Sequence, residues 1–306
     1  MCGCGANASR PDCQPMISCH SEYGKIKSVY IKRAADAFVD DATLERDWKS
    51  LNFLGKPDFE KAKAEYAVFE NVFRQEGIDI KHFPHDASLF IDSIYCRDAS
   101  IATDEGMILC NMGKEARLRE PQAQRKAFEE DGMKILGAIE PPGTVEGGDV
   151  AWLDQHTLAV GHTYRTNEAG IDQLTAMLWP LGVTVMRVPL PHYKGPGDVF
   201  HLMSILSPVD HNLAVVYSPL MPIFFRNELL RRGFELIEVP EAEFETMGCN
   251  VLAISTRNCI MVKSNPQTAA ALRKAGCRIT EYSGNEISVR GGGGPTCLTR
   301  PLQREW

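Results

Sequence analysis

The 306-residue sequence predicts an α/β fold, a five-bladed α/β propeller of ββαβ repeats with pseudo-fivefold symmetry. Three observations carry this expectation. A helix-like run that ends in glycine and leads into a strand recurs along the chain, with the glycines at 77, 132, 182, 233 and 276. Their spacings of 55, 50, 51 and 43 residues indicate repeated supersecondary units rather than separate domains. Two further strand-like runs fall between each such strand and the next helix. The last unit lacks one strand, and the N-terminal Val29–Ile31 run can supply it, closing a ring and covering the sheet edges.

In chain order, Ser28-Val-Tyr-Ile-Lys32 alternates apolar and polar residues as a strand does. Pro57 and Asp58 open a helix whose apolar residues Phe59, Ala62, Tyr66, Phe69 and Phe73 fall on one face. Gly77 ends it as a left-handed cap, and Ile78–Phe83 follows as a strand. The pattern returns with Ala127–Gly132 before Met133–Ile139, and with Gly170–Leu178 before Val183–Pro189. It returns again with Ile223–Gly233 before Phe234–Pro240, and with Gln267–Gly276 before Cys277–Tyr282. The paired strands are clearest as Asp149–Leu153 with Thr157–Val160, Leu202–Leu206 with Asn212–Val216, and Val251–Ile254 with Cys259–Val262. An open doubly wound sheet is the alternative, but no glycine-rich phosphate loop follows the first strand.

A composition 44% hydrophobic and 24% charged is that of a soluble globular protein. The net charge of −7 argues against a nucleic-acid or anionic-membrane partner, and no apolar run is long enough to span a bilayer. The N-terminus lacks the basic start and apolar stretch of a secretory signal. Ten cysteines in a chain of this length do not form a disulfide scaffold, so a reducing, cytoplasmic setting is expected. Cys2, Cys4, Cys13, Cys19 and His20 are too irregularly spaced for a zinc site, so no metal is expected. Residues 1–24 thus read as a flexible cysteine-rich segment, and residues 25–306 as a single catalytic domain.

Polar residues recur at one place per unit, where a strand begins near the ring axis. Asp98 lies in Asp92-Ser-Ile-Tyr-Cys-Arg-Asp98, Glu146 opens Glu146-Gly-Gly-Asp149, and His201 lies in Asp198-Val-Phe-His201. Cys297 follows Gly291-Gly-Gly-Gly-Pro-Thr, where consecutive glycines let other groups approach the main chain closely. Separations of 48, 55 and 96 residues keep these four in phase with the repeat. Two carboxylates can hold a planar guanidinium through charge-assisted, bidentate hydrogen bonds. A cysteine beside a bound cation and an imidazole is favoured as the thiolate, and covalent attack splits a hard C–N cleavage into two easier steps. Lacking a second buried-looking basic cluster, the sequence suggests an acidic funnel for a cationic substrate.

These motifs resemble those of the guanidine-modifying superfamily with the pentein fold. It includes dimethylarginine dimethylaminohydrolases, arginine deiminases and glycine amidinotransferases, and the resemblance covers roughly residues 25–303. It implies that Asp98 grips the guanidinium with Asp92 beside it, and that Glu146 binds it and assists the histidine. His201 would be the general acid and base, and Cys297 the nucleophile. Gly161-His-Thr-Tyr-Arg165 resembles the segment whose arginine receives the substrate's α-carboxylate; its plainer meaning is a helix-entry turn capped by Thr166 or Asn167. Arg117 would be a second carboxylate anchor, although a solvated helix charge is the commoner meaning of such a residue. Deiminases and amidinotransferases carry an Asp two residues after the histidine, where this sequence has Met203, which leans towards the dimethylarginine hydrolases. The implied activity is hydrolysis of a guanidine C–N bond of arginine or an N-methylated arginine, giving citrulline, with a small-molecule guanidine as partner and no cofactor. An amidinotransferase and a non-catalytic binding module stay open as alternatives, and so does a homodimer.

Overall fold

The computed structural model describes residues 16–305. Five three-stranded sheets share one plan: a first strand antiparallel to a second, then a helical crossover to a third strand parallel to the second. One unit comprises Ser100–Thr103, Gly106–Leu109, helix Glu120–Glu130 and Ile135–Ala138. The next comprises Val150–Asp154, Thr157–His162, helix Glu168–Leu178 and Thr184–Pro189. Then come Leu206–Asp210, Leu213–Val216, helix Ile223–Arg231 and Glu235–Glu238. Leu252–Ser255, Asn258–Val262, helix Pro266–Lys274 and Arg278–Tyr282 form another.

The remaining unit joins the two ends of the chain. Thr299–Pro301 pairs antiparallel with Ser28–Ile31, which pairs parallel with Asp79–His82 across helix Phe59–Gln75. Ring closure by the N-terminal strand is therefore observed. The apolar side chains close the same circle, because each cluster lies between neighbouring units. Tyr30 and Phe83 pack with Met107 and Phe128. Ile101 and Ile108 pack with Leu158 and Val160. Ala159 packs in one cluster with Val215 and Cys259, and Ile260 packs in another with Val29 and Ile31.

Local chemistry explains the element ends. The Asp58 carboxylate accepts the Lys61 amide at 3.0 Å, and the Asn167 side-chain oxygen accepts that of Gly170 at 2.9 Å. All five expected glycine caps have positive φ, between 68° and 85°. Two short helices, Ala34–Phe38 and Asp41–Asp47, fall in a stretch to which the sequence pattern assigns nothing. The expected strand Leu202–Leu206 is displaced: Leu202–Ser204 is a 3₁₀ turn and the strand is Leu206–Asp210. It runs through Pro208, which this edge strand of its sheet tolerates with a bulge before Asp210.

The flexible segment expected over residues 1–24 does not extend to residues 16–24. Ile17–Ser18 and Lys25–Ile26 pair with Arg304–Glu305 on either side. His20 stacks on Trp152 at 3.9 Å between ring centroids. Cys2, Cys4 and Cys13 lie outside the described residues. Among the described residues seven cysteines are free, and no helix is long and apolar enough to cross a membrane.

The chain does hold a second buried basic cluster, contrary to the expectation of none. Arg97, Arg300 and Arg304 are each at most 4% exposed, and burial lowers Arg300 and Arg304 to about 10. Glu22 answers them, accepting Arg97 Nη2 at 2.8 Å and the Trp152 amide at 3.3 Å. Removing one partner of a buried ion pair leaves an uncompensated charge. Glu22→Gln is therefore expected to lower the free energy of unfolding by about 3 kcal/mol, as measured by urea denaturation. A loss under about 1 kcal/mol, the level of an exposed pair, would contradict this.

Candidate active site

Each of the five units contributes one polar residue from the same place, just ahead of its first strand. Asp98 precedes Ser100–Thr103, Glu146 precedes Val150–Asp154, and His201 precedes Leu206–Asp210. Cys297 precedes Thr299–Pro301. The fifth is Asn250, ahead of Leu252–Ser255, which the sequence reading missed. It divides the 96-residue gap between His201 and Cys297 into intervals of 49 and 47. That gap of two repeats was the available signal.

The five converge. Asp98, Glu146 and His201 bring one polar atom each to within 4.8 Å of one another. Asn250 Nδ2 donates to Cys297 Sγ at 3.4 Å, and its Oδ1 accepts the Thr296 amide at 3.0 Å. The Arg97 amide donates to the Cys297 carbonyl at 3.2 Å, joining the segment that carries Asp98 to the one that carries the thiol. A cavity of about 310 Å³ is bordered by Asp92, Asp98, Arg117, Arg165, His201 and Cys297. It meets a wider cleft of about 1030 Å³ at Val199, His201, Gly291, Gly292 and Cys297.

Glycine is required at two places here. A Cβ on Gly148 would lie 2.4 Å from His201 Nδ1 and 2.7 Å from Asp98 Oδ1. In the Gly291 to Gly294 run, a Cβ would strike Tyr95 at 291 and 293 and Asn250 at 294. The close approach expected of these glycines is that of Tyr95 and Asn250 side chains.

Hydrogen bonds fix the histidine and bias its charge. His201 Nε2 lies 2.8 Å from Glu146 Oε2. Asp149 accepts the Leu202 amide at 3.0 Å and the Thr163 hydroxyl at 2.7 Å, holding the turn that carries His201. Burial disfavours the imidazolium, but the Asp149 charge and the Glu146 hydrogen bond outweigh it and push His201 up to about 9. Burial also opposes the Glu146 carboxylate, yet His201 and Arg165 hold it well below the usual range. Asp149 is pushed up to about 6 by its burial. The Cys297 thiol is likewise raised, by burial and then by the Asp98 charge, while Thr296 and Asn250 pull the other way.

The basic residues are arranged differently from the expectation. Arg117 is no solvated helix charge: it is buried, with Nη1 2.5 Å from Asp98 Oδ2 and a two-pronged contact to Glu120 at 2.7 and 2.8 Å. Arg165 Nη1 lies 3.3 Å from both Glu146 oxygens, and Nη2 lies 3.4 Å from the Asp198 carbonyl. Lys114 Nζ reaches Asp92 Oδ2 at 2.5 Å, and the Lys114 amide reaches Glu146. The site is thus a lattice of alternating charges rather than a purely acidic funnel. Asp98, Glu146 and His201 are spaced as metal ligands can be, but Arg117, Arg165 and the Lys114 amide already engage the carboxylates. One carboxylate oxygen is left over: Asp98 Oδ1 is buried and receives no hydrogen bond from the described residues.

The family described as N,N dimethylarginine dimethylhydrolase, eukaryotic, matches residues 38–304. The N(G),N(G)-dimethylarginine dimethylaminohydrolase of Pseudomonas aeruginosa is 28% identical over 275 residues, covering 89% of this chain and 98% of that protein. An arginine deiminase of Listeria welshimeri is 25% identical over 250 residues, covering 69% of this chain and 61% of that one. A structure of a mutant Pseudomonas aeruginosa enzyme complexed with citrulline superposes with a TM-score of 0.74 at 24% identity. It covers 91% of this chain and 99% of that one, and shows the shared pentein fold. The chain belongs to the dimethylarginine dimethylhydrolase family, and with it to the hydrolases acting on carbon–nitrogen bonds in linear amidines.

Proposed function

We propose that the protein hydrolyses a guanidine C–N bond of arginine or an N-methylated arginine, giving citrulline and an amine or ammonia. The observation that carries this reading is Asp98 Oδ1, a buried acceptor with no donor, on a residue that borders the same cavity as Cys297 and His201. A guanidinium N–H supplies the missing donor, and Glu146 offers a second carboxylate for the same planar cation. Binding a cation beside Asp98 offsets the charge that helps keep the Cys297 thiol protonated, so substrate itself promotes the thiolate.

Cys297 Sγ then attacks the guanidine carbon. His201, held as imidazolium by Asp149 and Glu146, gives its proton to the departing amine, and an S-alkylthiouronium remains on the cysteine. The neutral imidazole next takes a proton from water as the water oxygen adds to the same carbon. The C–S bond then breaks as the adduct's hydroxyl proton passes to solvent and its C–O bond becomes the urea carbonyl, releasing citrulline and the thiolate. Among the basic residues Arg165 is the one suited to swing onto a substrate carboxylate, since its contacts of 3.3–3.4 Å are long, whereas those of Arg117 are short and numerous. Asp92 and Arg117 would then shape the cavity wall rather than anchor the substrate.

The test is citrulline release from arginine, monomethylarginine and asymmetric dimethylarginine, run beside Cys297→Ser. The wild type is expected to release citrulline from the methylated substrates. Cys297→Ser is expected to lose on the order of 10³-fold or more with an unchanged urea midpoint. Substantial activity in that variant would remove Cys297 from the mechanism.

The pH dependence gives a second test. Because His201 sits at about 9, the alkaline limb of kcat/KM is expected near that pH, where the free enzyme loses its general acid. Glu146→Gln removes a negative charge and a hydrogen-bond acceptor that raise His201. Its alkaline limb should therefore move to lower pH by about one unit or more. An unmoved limb would show that another group sets it.

A further inference from the structure

A second cleft lies away from Cys297. Lys32 follows the central strand Ser28–Ile31 and is only 3% exposed, yet its ammonium has no hydrogen-bond or ion-pair partner among the described residues. It borders a solvent-open cleft of about 670 Å³ between the 83–93 segment and helix Glu120–Glu130. The carboxylates that share this cleft act on it only from a distance, with no hydrogen bond or ion pair. Both oxygens of Glu120 are taken by Arg117, Asp86 accepts from Ser88, and Glu130 is exposed at the rim. A buried ammonium without a hydrogen-bonded counter-charge is costly: burial pulls Lys32 below the usual lysine range, and the more distant charges of Glu120 and Asp86 offset this only in part.

Beside Lys32 the cleft offers the apolar surfaces of Phe83, Leu89 and Ala123, while the other basic side chains that border it, Lys126 and His85, are exposed. One point charge beside hydrocarbon suits a monoanion with an apolar body. A phosphate dianion would call for several buried cations or a guanidinium fork, and of the cations bordering this cleft Lys32 alone is buried. We propose that this cleft is a second ligand site, in which Lys32 takes the carboxylate of a small organic acid whose apolar body lies against Phe83, Leu89 and Ala123. Glu120, clamped by Arg117, separates it from the site around Cys297, so the proposal does not depend on the reaction assigned there.

Calorimetric titration of the full chain with 3-phenylpropanoate tests it, with the uncharged 3-phenylpropanamide as the control ligand. Two variants accompany the wild type. Lys32→Met removes the charge at similar volume, and Ala123→Leu fills the cleft from the helix without touching the lysine. The carboxylate is expected to bind the wild type and to bind each variant about tenfold or more weakly. The amide should also bind the wild type at least about tenfold more weakly than the acid. A urea midpoint for Lys32→Met at or above that of the wild type confirms that the variant is folded. No binding heat from the carboxylate at millimolar concentration would overturn the proposal. So would undiminished affinity in Lys32→Met, or an amide that binds as tightly as the acid.

Discussion

Three residues near the C-terminus, Thr299 to Pro301, pair antiparallel with Ile31 to Val29, and much of the rest follows from that pairing. It supplies the missing strand of one unit and so closes the ring, leaving no gap between the first unit and the last. It also sets Cys297, two residues ahead of the strand, in the position that Asp98, Glu146, His201 and Asn250 occupy in the other units. The chemistry is then a consequence of repetition. Five equivalent turns around one axis bring five side chains together from as far as 199 positions apart in the chain.

What distinguishes the site is how its charges are balanced. Glu146 is tied to His201 and Arg165, and Asp98 is tied at one oxygen to Arg117. These contacts hold the buried Glu146 carboxylate well below its usual range, against the burial that opposes its charge. The lattice stops one donor short, at Asp98 Oδ1. In the reaction we propose, a planar cation completes it and at the same time favours the cysteine thiolate. Binding and activation are thus coupled through one carboxylate, which fits a residue whose thiol is otherwise held up by burial.

The ring was legible because its signals are local and repeated: glycine caps at regular spacing, and helices that bury one face. Asp98, Glu146, His201 and Cys297 were legible because they keep phase with those caps. Asn250 was not, since an amide between Cys249 and Val251 reads as an ordinary polar residue before a strand. The pairing of Arg117 with Asp98 and Glu120 was hidden because it depends on how a 3₁₀ turn lies against a strand end. Residues 16–24 looked like a loose tail because their partners are remote: Ile17 pairs with Glu305, and Glu22 with Arg97. The strand expected at Leu202–Leu206 lies at Leu206–Asp210, running through Pro208, and an edge strand has a free side on which proline costs little.

The central claim is that the guanidine carbon becomes bonded to Cys297. Acid-quenched reactions with monomethylarginine labelled with ¹³C at the guanidine carbon, followed by peptide mass mapping, test it directly. The label is expected on the peptide containing Cys297, and nowhere else, at times when citrulline is being formed. Turnover without label on that peptide, or label on Cys249 at the edge of the same cleft, would contradict it.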